Sequence, residues 1–196
     1  ISREYEQIRL GVLSKIIDGN YTAVVASAAA AAQYTMPPQA LKERSFKISS
    51  GDEIDLDDMA ARLVKAGYSR FDQVDGTSQF SIRGGLLDIF PPGADDPVRI
   101  ELWGDTVDSI TKFDIATQRR TDMVNSVEII PSTEVLFNSR EEQAKKIDTL
   151  AAGLKGKATK AREKLYQDSD RLKQGINLRC NDKYLPLAYD SKGIFD

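Results

Sequence analysis

The chain has 196 residues, of which 41% are hydrophobic and 29% charged, and this composition suits one large or two small folded domains. It has no histidine and one cysteine, which excludes histidine-based catalysis, histidine zinc sites, thiolate clusters and an internal disulfide. No apolar run approaches the ~20 residues of a membrane helix and no secretory signal is recognisable. The single cysteine fits a reducing compartment, so a cytoplasmic protein is predicted. Because the first residue is isoleucine, we expect a fragment of a longer protein.

The first segment, residues 1–44, is predicted to have the order helix, strand, helix. Apolar periodicity predicts a helix over residues 3–17 with one buried face, formed by Ile8, Val12 and Ile16. The valine-rich run at 22–27 is typical of a buried parallel strand. A short alanine helix at 28–32 follows, so this segment is predicted to be the last part of an α/β layer.

A second domain is predicted for residues 45–138, as one helix followed by a mostly antiparallel sheet. The helix is expected to begin after the N-cap Asp55 and to end at Gly67, with a buried face of Leu56, Met59, Leu63 and Val64. A tight turn is predicted at Trp103 to Asp105, between two antiparallel strands. The predicted strands are 46–48, 71–74, 79–82, 86–90, 98–103, 107–113 and 127–130.

The last segment, residues 139–196, is predicted to be helical. Ser139 and Glu142 have the spacing of a capping box at the start of one helix. A second helix is expected over 158–173, and the run YLPLAY at 184–189 is interpreted as extended.

Charge is unevenly distributed between these segments. Residues 1–138 have 14 basic and 21 acidic residues, whereas residues 139–196 have 13 basic and 9 acidic. The acidic part is a poor candidate for general DNA binding. Three basic residues of the last segment share one helical face and are candidate contacts to a DNA backbone, with a solvated face as the alternative: Lys157, Lys160 and Lys164.

The stretch FSIRGGLLDIFPPG, residues 80–93, places an arginine and two glycines inside an apolar strand pattern. The chain has neither G-x-x-x-x-G-K-[ST] nor G-x-G-x-x-G, so a nucleotide phosphate loop is excluded and no catalytic motif is evident. Two interpretations remain. Arg83 pairs with a local acid at a bend in the sheet, or Arg83 and Arg70 form an exposed partner-binding pair. The residues alone favour the first.

An ordered set of residues resembles a known family. Its members are Leu63-Val64, Gly67-Tyr68, Arg70, Gly76, Phe80, Arg83-Gly84, Asp88-Ile89-Phe90-Pro91, Arg99-Ile100-Glu101, Gly104-Asp105 and Phe113-Asp114. This pattern resembles the second domain of the bacterial transcription-repair coupling factor (Mfd) family and, more loosely, the UvrA-binding domain of the excision-repair protein UvrB. The runs RGGLLDIFPPG, FDIATQRR and VEIIPSTEVLF favour the coupling factor.

The resemblance implies a mixed α/β (α+β) fold, in which parts of a RecA-like, UvrB-like domain 1 flank an inserted domain 2. Residues 1–44 and 139–196 would belong to domain 1, and 45–138 would be domain 2. It also implies a non-catalytic module that recruits UvrA for nucleotide excision repair. ATP, Mg²⁺, RNA polymerase and DNA would be bound by other parts of the parent protein, and no cofactor is expected in this segment.

The family pattern also implies contact residues. Its UvrA-contacting arginines fall on Arg70 and Arg83, and the candidates beside them are Gly84, Gly85, Phe80 and Leu87. A further arginine of the UvrB pattern falls on Ser81, so that contact is absent or replaced. The alternatives are the corresponding region of UvrB, an ATP-dependent helicase-like fragment and a DNA-backbone-binding helical module.

Overall fold

The computed structural model describes residues 3–19, 21–154, 158–176, 178 and 181–189. These residues combine helices with an antiparallel strand pair and a larger mixed sheet, so the predicted α/β class is confirmed. The chain folds into two compact units. The larger unit contains residues up to 25 and 38–134, and the smaller contains 26–37 and the residues from 135 onward. The domain boundaries near residues 45 and 138 stay a prediction.

The larger unit is built around a six-stranded sheet. Its strands are β2 (Ser69–Arg70), β3 (Gln79–Arg83), β4 (Leu86–Ile89), β5 (Val98–Trp103), β6 (Thr106–Phe113) and β7 (Arg120–Val124). They lie in sequence order, and every neighbouring pair is antiparallel except β2 and β3, which are parallel. A separate antiparallel pair is formed by β1 (Phe46–Ser49) and β8 (Ser126–Ile129).

One face of this sheet supplies the core of the unit. Along β5, Val98 and Ile100 are buried whereas Trp103 is exposed, and this agrees with the alternation in the sequence. The two small strands and the helix that precedes β2 pack on the same face. The largest fully buried members of this core are Ile48, Leu63, Phe80, Leu87, Ile89, Ile100 and Ile110.

Two differences from the predicted strands concern the edges of the sheet. Residues 71–74 were expected to form a strand, but the edge strand β2 ends at Arg70. Strand β7 was not predicted, because its sequence RTDMV is mostly polar and its side chains are mostly exposed. An edge strand pairs on one side only, so its side chains carry little of the hydrophobic pattern on which strand prediction depends.

Helix α4 (Leu56–Lys65) follows the predicted capping pattern. Asp55 Oδ1 accepts hydrogen bonds from the backbone N–H groups of Asp57 and Asp58, both at 2.9 Å. Met59 and Leu63 are buried as expected. The prediction for Val64 is wrong: its side chain is 57% exposed, because it lies at the border of the buried helix face.

We expect Asp55→Ala to lower the free energy of unfolding by about 1 kcal/mol, since two N–H groups at the start of α4 lose their acceptor. Urea denaturation measures this. The matched control is Asp122→Ala on the exposed edge strand β7, which should change stability by less than about 0.5 kcal/mol. Equal effects of the two substitutions would contradict the capping role.

Helix α1 (Arg3–Ile17) has the predicted bounds but buries a different face. Ile8 and Val12 are about half exposed, and the buried residues are Gln7, Leu10, Gly11, Leu13 and Ser14. Tertiary contacts explain the difference. Gln7 Nε2 donates to Ser78 Oγ at 2.8 Å, and a Cβ atom at Gly11 would lie only 3.0 Å from the Cα of Gly93.

The predicted strand at residues 22–27 is not observed. No strand among the described residues pairs with this segment, and the side chain of Val25 is 97% exposed. An isolated extended segment leaves its backbone groups without the partners that define a sheet. The helices α2 (Ala28–Ala31) and α3 (Pro38–Arg44) follow, and α2 lies where a short helix was predicted.

The smaller unit is mainly helical, as predicted. It contains α5 (Arg140–Gly153), α6 (Thr159–Lys173), a 3₁₀ turn at Asp182–Tyr184 and α7 (Leu185–Ala188). Ser139 Oγ accepts from the N–H of Glu142 at 3.1 Å, and the Glu142 carboxylate accepts from the N–H of Asn138. The predicted capping pair is therefore present. One cluster of buried apolar residues in this unit comprises Val135, Ala144, Ile147, Leu172, Tyr184 and Leu185.

The interpretation of YLPLAY as extended is wrong. Residues 185–188 are helical, and Pro186 lies in the first turn, where a missing N–H has no cost. Tyr184 is buried and donates its hydroxyl hydrogen to Asp168 Oδ2 at 2.7 Å. Desolvation, with Asp168 as a second cause, raises the pKa of this hydroxyl above its ordinary value.

None of the helices in the described ranges has the length and apolar content that crossing a membrane requires.

Candidate partner-binding site

The two glycines of the RGG stretch form a hairpin turn. Arg83 pairs with Leu86, so Gly84 and Gly85 are the two turn residues between β3 and β4. Gly84 has a φ of +60°, a region that other residues rarely adopt, whereas Gly85 is not among the glycines with positive φ. A positive φ at only the first turn residue fits a type II′ hairpin. The stretch is therefore two strands joined by a tight turn, which agrees with the separate predicted strands 79–82 and 86–90. The glycines form this hairpin turn and not a bend in the sheet.

Gly85 has a second structural role. A Cβ atom at this position would lie 3.1 Å from the carbonyl oxygen of Leu102, and the N–H of Leu102 donates to the Gly85 carbonyl at 2.9 Å. The glycine thus lets the turn approach the backbone of β5. Intramolecular geometry accounts for both glycines.

A cleft of about 400 Å³ lies at the β2 edge of the sheet. Both arginines that were predicted as partner contacts line it. It is lined by Arg70, Phe71, Asp72, Ile82 and Arg83. Arg70 is exposed and has no hydrogen bond or ion pair within the described part of the chain. Phe71 is 49% exposed and supplies an apolar wall. The cleft therefore offers two guanidinium groups, one carboxylate and apolar surface to a partner.

Arg83 is held in place by a buried carboxylate. Arg83 Nη2 lies 2.7 Å from Asp88 Oδ2, and Asp88 is only 1% exposed. The Arg83 side chain is 43% exposed, so part of its guanidinium stays accessible. This ion pair confirms the expectation that Arg83 contacts a local acid, and it leaves the same side chain oriented at the cleft.

Arg99 completes this ion-pair network from the opposite side of Asp88. Its Nε donates to Asp88 Oδ1 at 2.7 Å and its Nη2 donates to Oδ2 at 2.9 Å, which is a bidentate arrangement. The guanidinium carbon also lies 4.8 Å from the ring centroid of Phe113. The hydrogen bonds to Asp88 raise the pKa of Arg99. Asp88 is thus the shared acceptor of two arginines.

The sequence did not identify Asp88 and Arg99 as a pair. The sequence predicted only that Arg83 pairs with some local acid, and it gave Arg99 no partner. The available signal was alternation: the two residues are direct cross-strand neighbours, and both point away from the core face. Recognising the pair required the register between β4 and β5.

Phe80 and Leu87 lie elsewhere. Both side chains are 0% exposed and belong to the core of the larger unit. A side chain without accessible surface cannot contact a partner in this conformation, so neither residue is a candidate contact in this fold.

Ser81 is the position at which the resemblance to the UvrB pattern implied a further arginine. Its side chain is buried and donates to the carbonyl oxygen of Asp72 at 2.8 Å. This bond fixes the segment after β2 at one wall of the cleft. In this fold Ser81 therefore has a structural contact.

Two of the three basic residues predicted as DNA contacts lie in the described part of the smaller unit. Lys160 and Lys164 are exposed on α6, whereas Lys157 lies outside the described residues. Their contact with DNA stays a prediction. The described residues contain no group of three or more acidic or cysteine side chains placed to hold a metal ion.

Together, a mostly antiparallel sheet covered by a helix on one face and an arginine-lined cleft at one edge define an α+β domain. Residues 46–135 match the family described as the UvrB interaction domain. This match covers most of the larger unit and includes every residue that lines the cleft.

The chain is also similar to curated proteins. It is 38% identical over 197 residues to the transcription-repair-coupling factor of Bacillus subtilis, covering 96% of this chain and 17% of that protein. It is 33% identical over 169 residues to that of Myxococcus xanthus, covering 86% of this chain and 14% of that protein. The predicted resemblance to the N-terminal module of transcription-repair-coupling factors is confirmed. The chain spans less than a fifth of either relative.

Proposed function

We propose that the larger unit is a UvrA-binding module, and that the chain recruits UvrA to stalled transcription in the cytoplasm for nucleotide excision repair. Two findings support this. The matched family is named for an interaction domain of UvrB, and the similar curated proteins are named for coupling transcription to repair. Contacts with RNA polymerase and DNA are assigned in this proposal to other domains of a longer parent protein.

The observation that carries the proposal is that Arg70 and Arg83 line one cleft. The two residues are 13 positions apart in the chain, and the parallel pairing of β2 with β3 brings them together. Arginine forks bind carboxylates in a bidentate manner and are frequent at the centres of protein interfaces. We propose that both arginines bind acidic groups of UvrA, with Phe71 as the apolar contact between them.

We expect Arg83→Ala to weaken binding to UvrA by about 30-fold, which corresponds to about 2 kcal/mol, because a charged anchor at an interface is lost. Arg70→Ala should weaken binding in the same direction. Isothermal titration calorimetry with purified UvrA and the 196-residue chain measures both values.

The matched control is Lys47→Ala, which also removes one positive charge from an exposed position, but on β1 of the separate strand pair. Its affinity should stay within about twofold of wild type. Circular dichroism verifies that each variant is folded. Wild-type affinity in a folded Arg83→Ala variant would refute the anchor role.

We also propose that this segment acts without catalysis or a cofactor of its own. The absence of a phosphate-loop sequence from the 196 residues supports this. ATP and Mg²⁺ would act in other domains of the parent. Steady ATP hydrolysis by the purified chain, above that of a mock preparation, would contradict the proposal.

A further inference from the structure

Strand β3 directs part of its backbone into the cleft. The N–H of Phe71 donates to the carbonyl of Phe80 at 2.9 Å, so the backbone groups of Phe80 point toward β2. The N–H of Phe90 donates to the backbone carbonyl of Gln79 at 3.0 Å, so the backbone carbonyl of Gln79 points toward β4. Because these directions alternate along a strand, the N–H and C=O of Ile82 also point toward the β2 side.

No strand of the described residues occupies that side at Ile82. Strand β2 ends at Arg70, and the last backbone–backbone hydrogen bond on this edge among the described residues comes from the N–H of Phe71; beyond it, the Ser81 hydroxyl donates to the Asp72 carbonyl. The ladder partner of Ile82 is Leu87 on β4, and no described residue pairs with Ile82 from the β2 side. The N–H and C=O of Ile82 are therefore open toward the cleft, at the position that a longer β2 would occupy.

The two arginines flank this open backbone from opposite faces of the sheet. Arg70 on β2 is the direct neighbour of Phe80 on β3, so its side chain lies on the same face of the sheet as Phe80, which is the core face. Arg83 follows Phe80 by an odd number of residues, and alternation places it on the other side. Neighbouring residues of an extended peptide also point to opposite faces, so two consecutive acidic residues would reach one arginine each.

We propose that the cleft takes an extended acidic segment of UvrA, which continues the line of β2 and pairs with the backbone of Ile82. Its carbonyl accepts from the Ile82 N–H, its N–H donates to the Ile82 carbonyl, and its carboxylates bind Arg70 and Arg83. The residues that line the cleft include two guanidinium groups and one carboxylate, that of Asp72, so the lining is net positive and complementary to an acidic segment. Adding a strand to an open sheet edge is a common mode of peptide recognition. This inference rests on the proposed function.

Hydrogen exchange of the wild-type chain, measured by mass spectrometry at single-amide resolution with and without saturating UvrA, tests the pairing directly. We expect the Ile82 amide to exchange at least about tenfold more slowly in the complex, because it gains a hydrogen bond. The Ser81 amide is the internal control. It already points into the β3–β4 ladder, so its exchange should change much less.

A pair of variants tests the same contact by affinity. Ile82→Pro removes the N–H, and proline is tolerated where an edge-strand N–H faces outward. We expect this variant to bind UvrA about tenfold more weakly, whereas Ile82→Val, which retains the N–H, should bind within about twofold of wild type. If Ile82→Pro does not fold, the exchange measurement on the wild-type chain decides alone.

The outcomes separate this inference from the proposed function. UvrA binding that depends on Arg83 but leaves the Ile82 amide unchanged would overturn strand addition and leave the proposed function in place. A wild-type chain that does not bind UvrA would refute both.

Discussion

Replacing Asp88 by alanine is expected to lower the free energy of unfolding by about 3–5 kcal/mol, because it leaves buried positive charge without a partner. Asp88 is 1% exposed and accepts hydrogen bonds from both Arg83 and Arg99. The Arg99 side chain is only 12% exposed, so water cannot replace the lost carboxylate fully. Chemical denaturation followed by circular dichroism measures the loss.

The control for this prediction is Asp96→Ala. Asp96 pairs with Lys112 at 3.4 Å, and the side chains of Lys112 and Asp96 are 35% and 49% exposed. Its removal should cost no more than about 1 kcal/mol, since surface ion pairs contribute little. If the two alanine variants lose equal stability, Asp88 does not have the structural role assigned to it.

The second large effect is expected for Phe80→Ala, which should lower the free energy of unfolding by about 3–5 kcal/mol through the cavity it leaves. Phe80 is fully buried among Leu63, Leu87 and Ile100. The affinity of the folded molecules for UvrA should change little, because the ring has no accessible surface. Denaturation gives the stability, and calorimetry under strongly folding conditions gives the affinity.

Phe71→Ala removes the same side chain from the wall of the cleft and gives the opposite pattern. Phe71 is half exposed, so the loss of stability should be about 1 kcal/mol or less. Binding to UvrA should weaken instead. A Phe80→Ala variant that is as stable as wild type but fails to bind would show that Phe80 is a contact residue and that its buried position is wrong.

The sequence alone predicted the features that depend on neighbouring residues. The cap at Asp55, the capping pair at Ser139 and Glu142, and the turn after Trp103 all involve groups fewer than five positions apart. The bounds of β5 were also predicted, at residues 98–103. Residue types and spacing left two interpretations of Arg83, an ion pair with a local acid or a partner-binding pair with Arg70. The resemblance then favoured the partner-binding pair.

The tertiary structure decided which face of each element is buried and which distant groups meet. Helix α1 has an apolar stripe, yet polar contacts and the close approach of Gly11 to Gly93 turn another face inward. The segment at 22–27 has the composition of a buried strand, but no strand of the described residues lies beside it. The composition of a segment shows how much apolar surface it could bury. Whether that surface is buried depends on which other strands and helices pack against it.

The candidate site illustrates the same division. The sequence predicted an arginine pair with apolar neighbours, and it grouped Phe80 with the contacts because the resemblance carries no information about side-chain direction. Only strand order and register place Phe80 in the core and bring Asp88 between Arg83 and Arg99. They also determine that the pairing of β2 along β3 stops at Phe80 and does not reach Ile82. The physical reason is that pairing between strands is a long-range choice among many registers, and a shift of one residue exchanges the two faces of a strand.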